Sequence, residues 1–291
     1  MSIWQVIILA FVQGLAELLP VSSSAHVVVA EKLMGLDPSS PEMTLVLVLL
    51  HTGTMFAVIL YFWKQWKQSF FSSAHTFWRI ALRLVVATVV TAIVGGGLMK
   101  AIEKIFGHGQ KIEPEQFFGR LDMIAPALLA AGILILIAGW KSNTGKPGSE
   151  FDDDGTPRPC LKQASIMGAV QGLCLPFRGF SRSGATISSG LLMGVARAQA
   201  EAFSFALAVL ITPPVVAREV LRLIKIRHLE GGAALGTAVL PGVLGMVCAF
   251  LAGLLALKWL SQWLESGKWY LFGIYCVAAS IAVGVLHHLG Y

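Results

Sequence analysis

The chain has 291 residues, 56% of them hydrophobic and only 13% charged, with a formal net charge of +6 and a mean hydropathy of +0.73. Several apolar stretches are long enough to cross a bilayer, so the composition indicates a polytopic membrane protein and excludes a soluble globular one. The 22 Lys and Arg residues are scattered through short loops without the basic stripe that nucleic-acid binding needs, which makes anionic membrane lipids the expected counter-charges and nucleic acid an excluded partner.

In chain order, residues 1–5 carry no Lys or Arg and no small-residue cleavage site precedes Glu17, so the first helix is read as part of the mature protein. Residues 3–35 are apolar but broken by Pro20 and Ser22-Ser23-Ser24 into arms of about 15 residues, marginal for a ~30 Å core; this predicts a re-entrant hairpin. Full spans are expected near 43–63, 84–101 and 122–140. The Gly-, Pro- and Asp-rich stretch from Asn143 to Pro159 reads as a solvated connector, with Asp152, Asp153 and Asp154 as its hydrated acidic loop rather than a metal site. Residues 164–197 repeat the broken pattern. Spans near 199–217, 236–258 and 269–289 follow, with a kink expected at Pro213-Pro214 and a wet terminus at His287-His288.

The predicted fold is therefore all-α and polytopic, with six transmembrane helices plus two re-entrant helical hairpins in inverted-topology repeats. The repeats are residues 1–142 and 163–291, joined by a polar linker, 143–162. Gln13-Gly14-Leu15 aligns with Gln171-Gly172-Leu173, and one inserted residue brings Ser22-Ser23-Ser24 opposite Ser181-Arg182-Ser183, at the two breaks where repeat-built membrane proteins place their sites. A small excess of basic residues on the face holding Lys64, Lys67, Lys141 and Lys162 makes that face cytoplasmic and both termini external. Cys160, Cys174, Cys248 and Cys276 show no metal-ligand spacing and read as small hydrophobes.

The two breaks carry the chemistry. Gln13 and Glu17 share a helical face and point at the first turn; a carboxylate with an amide carbonyl suits a hard cation such as Mg²⁺ or Ca²⁺, and Glu17 as a general base is the open alternative. Ser22, Ser23 and Ser24 sit where a second helix begins, so hydroxyls and free N–H groups face the turn and attract anions. The second break repeats this at Ser181 and Ser183 and adds Arg182, whose planar fork matches phosphate oxygens. His26, three residues after Ser23, can exchange a proton with a serine or attack phosphorus itself, so either residue can be the nucleophile. Arg178 is a second phosphate contact or a snorkelling cation. His51, in His51-Thr52-Gly53, reads as a hydrogen-bonded packing residue. Ionisable groups such as Glu17 and Arg182 are costly in a bilayer, by at least ~2.5 kcal/mol at its centre, and therefore point to function.

The run from Gln13 to His26, together with Gly179-Phe180-Ser181-Arg182-Ser183-Gly184-Ala185-Thr186, resembles the undecaprenyl-diphosphate phosphatase family, also called the bacitracin-resistance protein family. The resemblance covers nearly the whole chain in length and span order. It implies a bacterial inner-membrane hydrolase that removes the terminal phosphate of undecaprenyl diphosphate with a divalent cation, serving cell-wall synthesis and bacitracin resistance. It also implies roles for Glu17 as the acidic residue, Ser23 as nucleophile or phosphate ligand, His26 as its partner and Arg182 as phosphate clamp. Gln13, Ser22, Ser24, Ser181, Ser183, Thr186 and Arg178 are expected around the substrate, with Glu17 and Gln13 as metal ligands. The expected partners are a polyprenyl diphosphate and membrane lipids, with a homodimer left open. Gln13 stands where many relatives have Glu, Ser24-Ala25 replaces a common Thr-Gly, and Pro176-Phe177-Arg178-Gly179 replaces a shorter Pro-Gly turn. A second lipid phosphatase family, which follows Ser-Arg with a downstream His and Asp, is disfavoured because no such His follows Ser181-Arg182. The competing reading is a transporter or flippase of undecaprenyl phosphate, since broken helices in inverted repeats are transporter architecture.

Overall fold

The structure, a computed structural model, describes residues 1–38, 40–106, 120–144, 159–230 and 233–290. The acidic loop at Asp152 to Asp154 and most of the expected linker lie outside the described residues. Among the described residues there are ten helices and no strand: α1 (Ile3–Leu18), α2 (Ser23–Leu33), α3 (Pro41–Ser69), α4 (Ala74–Phe106), α5 (Leu121–Thr144), α6 (Leu161–Cys174), α7 (Arg182–Leu192), α8 (Arg197–Glu230), α9 (Ala233–Glu265) and α10 (Tyr270–His288). Six of them, α3, α4, α5, α8, α9 and α10, are long and apolar enough to cross a membrane. They coincide with the six expected spans. Pro126, Pro213, Pro214 and Pro241 all lie inside these helices rather than ending them.

α1 and α2 have 16 and 11 residues. At about 1.5 Å per residue neither reaches the ~30 Å of a hydrocarbon core. They form a hairpin: Gln5 Nε2 near the start of α1 donates to the Met34 carbonyl just past α2 at 3.4 Å, so the chain returns to the level at which it began. α6 and α7 do the same, with Gln163 Nε2 donating to the Met193 carbonyl at 3.2 Å. Each first arm also opens with a side-chain cap, in which Gln5 and Gln163 bond the backbone N–H of Ser2 and Cys160 at 2.8 Å.

Close helix crossings fix these arms in the bundle. A Cβ added at Gly168 of α6 would lie 2.3 Å from the Ala87 carbonyl oxygen of α4, and one at Gly53 of α3 would lie 2.2 Å from the Met246 carbonyl oxygen of α9. Small residues let apolar helices approach backbone to backbone, where dispersion replaces the hydrophobic drive that lipid cannot supply. Gly132 of α5 and Gly273 of α10 meet in the same way. The largest apolar cluster, built on Leu18, Phe62, Phe205, Leu257 and Trp269, packs beside the first hairpin's tip.

Candidate active site

The tips of the two hairpins interlock. Ser183 Oγ donates to the Leu19 carbonyl at 3.4 Å, and the Gly179 N–H donates to Ser24 Oγ at 3.4 Å. Gly179 is required there twice over: its φ is +104°, and a Cβ would lie 2.6 Å from the Ile124 carbonyl oxygen. Arg182, the first residue of α7, reaches across to Glu17, near the end of α1, with 2.5 Å between Nη2 and Oε1. Their side chains are 27% and 12% exposed, so this ion pair is largely screened from solvent.

Glu17 is the hub. Its Oε2 accepts from the Ser23 hydroxyl and from Gln13 Nε2 at 3.1 Å, while His51 Nε2 lies 3.7 Å away. The start of α2 and the start of α7 thus meet on one carboxylate. Glu17 and Arg182 open onto a cleft between the hairpins and α3 and α8, with His51, Thr54 and Thr212 as its other polar groups and Met55, Phe205 and Val209 among its apolar walls. Charged and hydroxyl groups thus share one cleft with apolar walls.

The remaining expected site residues divide. Gln13 is fully buried, and its Oε1 has no hydrogen-bond partner. His26 does not bond Ser23 among the described residues and is not among those lining the cleft. Its Nδ1 is 2.8 Å from the Ser22 carbonyl and its Nε2 2.7 Å from the Tyr275 hydroxyl. Ser22 caps no N–H of α2, and its hydroxyl lies 3.3 Å from that of Ser24. Ser181 does cap α7, accepting from the Gly184 N–H at 3.1 Å. Thr186 is buried away from the cleft, donating to the Arg182 carbonyl at 2.8 Å and paired with the Ser204 hydroxyl of α8. Arg178 is half-buried outside the cleft, near enough to Glu31 of α2 to attract its carboxylate.

Two residues gain importance from the geometry. His51 does make the local bond expected of a packing histidine, donating from Nδ1 to the Leu47 carbonyl at 2.8 Å. That bond turns Nε2 toward Glu17 and into the cleft. Tyr275, which sequence reasoning passed over, reaches His26 from the last helix. No local signal in an apolar span marks it; the pairing depends on the packing of α10.

The chain is 54% identical over 284 residues to Undecaprenyl-diphosphatase 2 of Acinetobacter baylyi, covering 96% of each. It is 30% identical to Undecaprenyl-diphosphatase of Bacteroides thetaiotaomicron, over 97% of this chain and 98% of that one. With Undecaprenyl-diphosphatase 2 of Burkholderia orbicola the identity is 32%, over 97% and 95%. A family model described as bacitracin resistance protein BacA matches residues 6–282, and the chain belongs to that family.

Proposed function

We propose that this chain is an integral, multi-pass phosphatase of the bacterial inner membrane that hydrolyses undecaprenyl diphosphate to undecaprenyl phosphate and phosphate. This activity recycles the lipid carrier of cell-wall synthesis and confers bacitracin resistance. The observation that carries the reading is the convergence of Ser23, Arg182 and Gln13 on Glu17 beside an apolar-walled cleft. Part of the proposal is that α1–α2 and α6–α7 are re-entrant hairpins of two inverted repeats. Their short arms, paired Gln caps and interlocked tips support it.

The terminal phosphate would displace Glu17 from the Arg182 guanidinium, whose fork then neutralises charge developing on the phosphoryl oxygens. Glu17, released, takes the proton of the Ser23 hydroxyl already bonded to it. Ser23 Oγ attacks the terminal phosphorus, the bond to the bridging oxygen breaks, and the prenyl monophosphate leaves. Water then hydrolyses the phosphoserine and releases phosphate. A transporter would share the paired hairpins but has no use for a serine hydroxyl aimed at a carboxylate.

The residues fit a divalent cation, Mg²⁺ or Ca²⁺, held jointly with substrate. Gln13 Oε1 is a buried oxygen with no donor, and Glu17 is the adjacent carboxylate. Among the described residues no group of three or more His, Cys, Asp and Glu is placed to hold an ion unaided. Water and phosphate oxygens would complete the shell, as hard cations with few protein ligands require. When bound, the cation adds charge stabilisation at the phosphate.

The test is phosphate release from undecaprenyl diphosphate by protein purified in detergent, with and without chelator. Ser23→Ala and Arg182→Ala should each lose about 100-fold or more in kcat while keeping the wild-type helical spectrum. Near-normal turnover by Arg182→Ala would overturn the assignment.

A further inference from the structure

His26 is held at both ends of its ring. The Ser22 carbonyl, 2.8 Å from Nδ1, can only accept, so Nδ1 carries the proton and Nε2 of the neutral ring keeps its lone pair. The Tyr275 hydroxyl donates to that lone pair at 2.7 Å. The two ring planes lie within 15° of parallel, with centroids 5.6 Å apart. The neighbouring residue fixes the approach: Cys276 Sγ donates to the Pro20 carbonyl at 3.4 Å, which seats this turn of α10 on the tip of the first hairpin.

The other end of the clamp is bought with strain. Ser22 has φ +67° and ψ +90° and is the one non-glycine residue with positive φ among those described. Its hydroxyl does not cap α2, while its carbonyl accepts both the His26 backbone N–H at 3.4 Å and the ring Nδ1–H. Tyr275 is 47% exposed, with its hydroxyl on His26 Nε2.

We infer that Tyr275 is a positioning residue for His26: from the last helix its hydroxyl holds Nε2 and the ring plane of the histidine, whose tautomer the Ser22 carbonyl sets. The inference rests on the phosphatase reading for its kinetic consequence but not for its structural one. His26 is then a member of a Ser22–His26–Tyr275 chain that ties the C-terminal helix to the tip of the first hairpin.

Tyr275→Phe removes the hydroxyl and keeps the ring; Tyr275→Ala removes both. The protein is labelled with ¹⁵N-histidine in micelles, His26 is assigned by its loss in His26→Gln, and kcat and KM for phosphate release are measured in parallel. Wild-type His26 should show the Nδ1–H pattern. In Tyr275→Phe the Nε2 resonance should move while the Nδ1–H tautomer held by Ser22 persists, with kcat falling about tenfold and KM within about twofold. Tyr275→Ala should fall further. An unchanged His26 spectrum in Tyr275→Phe overturns the inference, as does a raised KM at unchanged kcat, which would make Tyr275 a binding residue. Wild-type protein that releases no phosphate would defeat the phosphatase reading, while the spectra would still decide whether Tyr275 holds His26.

Discussion

Glu31 has no exposed surface, and neither of its carboxylate oxygens has a hydrogen-bond partner. Arg178 attracts it from the second hairpin, and Asp37 repels it from the loop after α2. Burying a carboxylate without hydrogen bonds costs several kcal/mol, more than an attraction unsupported by direct contact returns. Glu31→Gln keeps the shape and removes the charge, so it should stabilise the protein by about 1–2 kcal/mol, raising the midpoint of thermal unfolding in detergent by a few degrees. A lower midpoint would mean that the pull of Arg178 outweighs the burial. Glu31 also marks what single residues disclose in sequence. Glu17, Ser23 and Arg182 stood out because charged and hydroxyl groups clustered at breaks in apolar arms. Glu31, followed by Lys32 near a helix end, looks like an ordinary solvated charge, and only the packing of the folded bundle buries it. His51 and Tyr275 were illegible for the same reason: their partners lie on other elements.

At the scale of elements, hydropathy located every span, because a run of apolar residues has no other economical use in this composition. The ends were less legible. α3 continues to Ser69, beyond the expected 63, since Trp66 is buried and donates from Nε1 to the Ala202 carbonyl of α8, while Lys64 and Lys67 can carry their charges to the interface. Helix contacts were also hidden, because a glycine reads the same whether it meets a backbone or lipid. Gly168 and Gly97 separate the two cases. A side chain at Gly168 collides with the Ala87 backbone, whereas one at Gly97 meets nothing within 4 Å. Gly168→Val should therefore destabilise by about 3 kcal/mol by forcing α6 from α4, and Gly97→Ala should gain about 1 kcal/mol in helix propensity. Denaturant titrations of the two variants in the same micelle check both signs; equal effects would mean that the crossing tolerates a Cβ.

For the whole molecule, the proposed repeat was read from Gln13-Gly14-Leu15 against Gln171-Gly172-Leu173 and from Ser22-Ser23-Ser24 against Ser181-Arg182-Ser183. Their joining through Glu17 and Arg182, 165 residues apart, needed coordinates. The proposed arrangement has a consequence that parity makes sharp. If α1–α2 returns to its starting face, residues 2 and 37 share a face; α3, α4 and α5 then carry the chain across three times, so Cys160 lies on the other face. If α6–α7 also returns, residue 196 stays with Cys160. Residue 72, one span beyond residue 37, belongs with them. By the positive-inside rule, the small basic excess at Lys64, Lys67, Lys141 and Lys162 would make that second face the cytoplasmic one. In a background with the other native cysteines removed, Ser2→Cys and Asp37→Cys should react with a membrane-impermeant maleimide in spheroplasts. Ser72→Cys, Ala196→Cys and native Cys160 should react only in inside-out vesicles. Ser2 and Asp37 on different faces would mean that the first hairpin crosses the membrane. Asp37 and Cys160 on one face would mean that the repeats are not inverted, and the two hairpin tips could not then meet at Glu17 by entering from opposite leaflets.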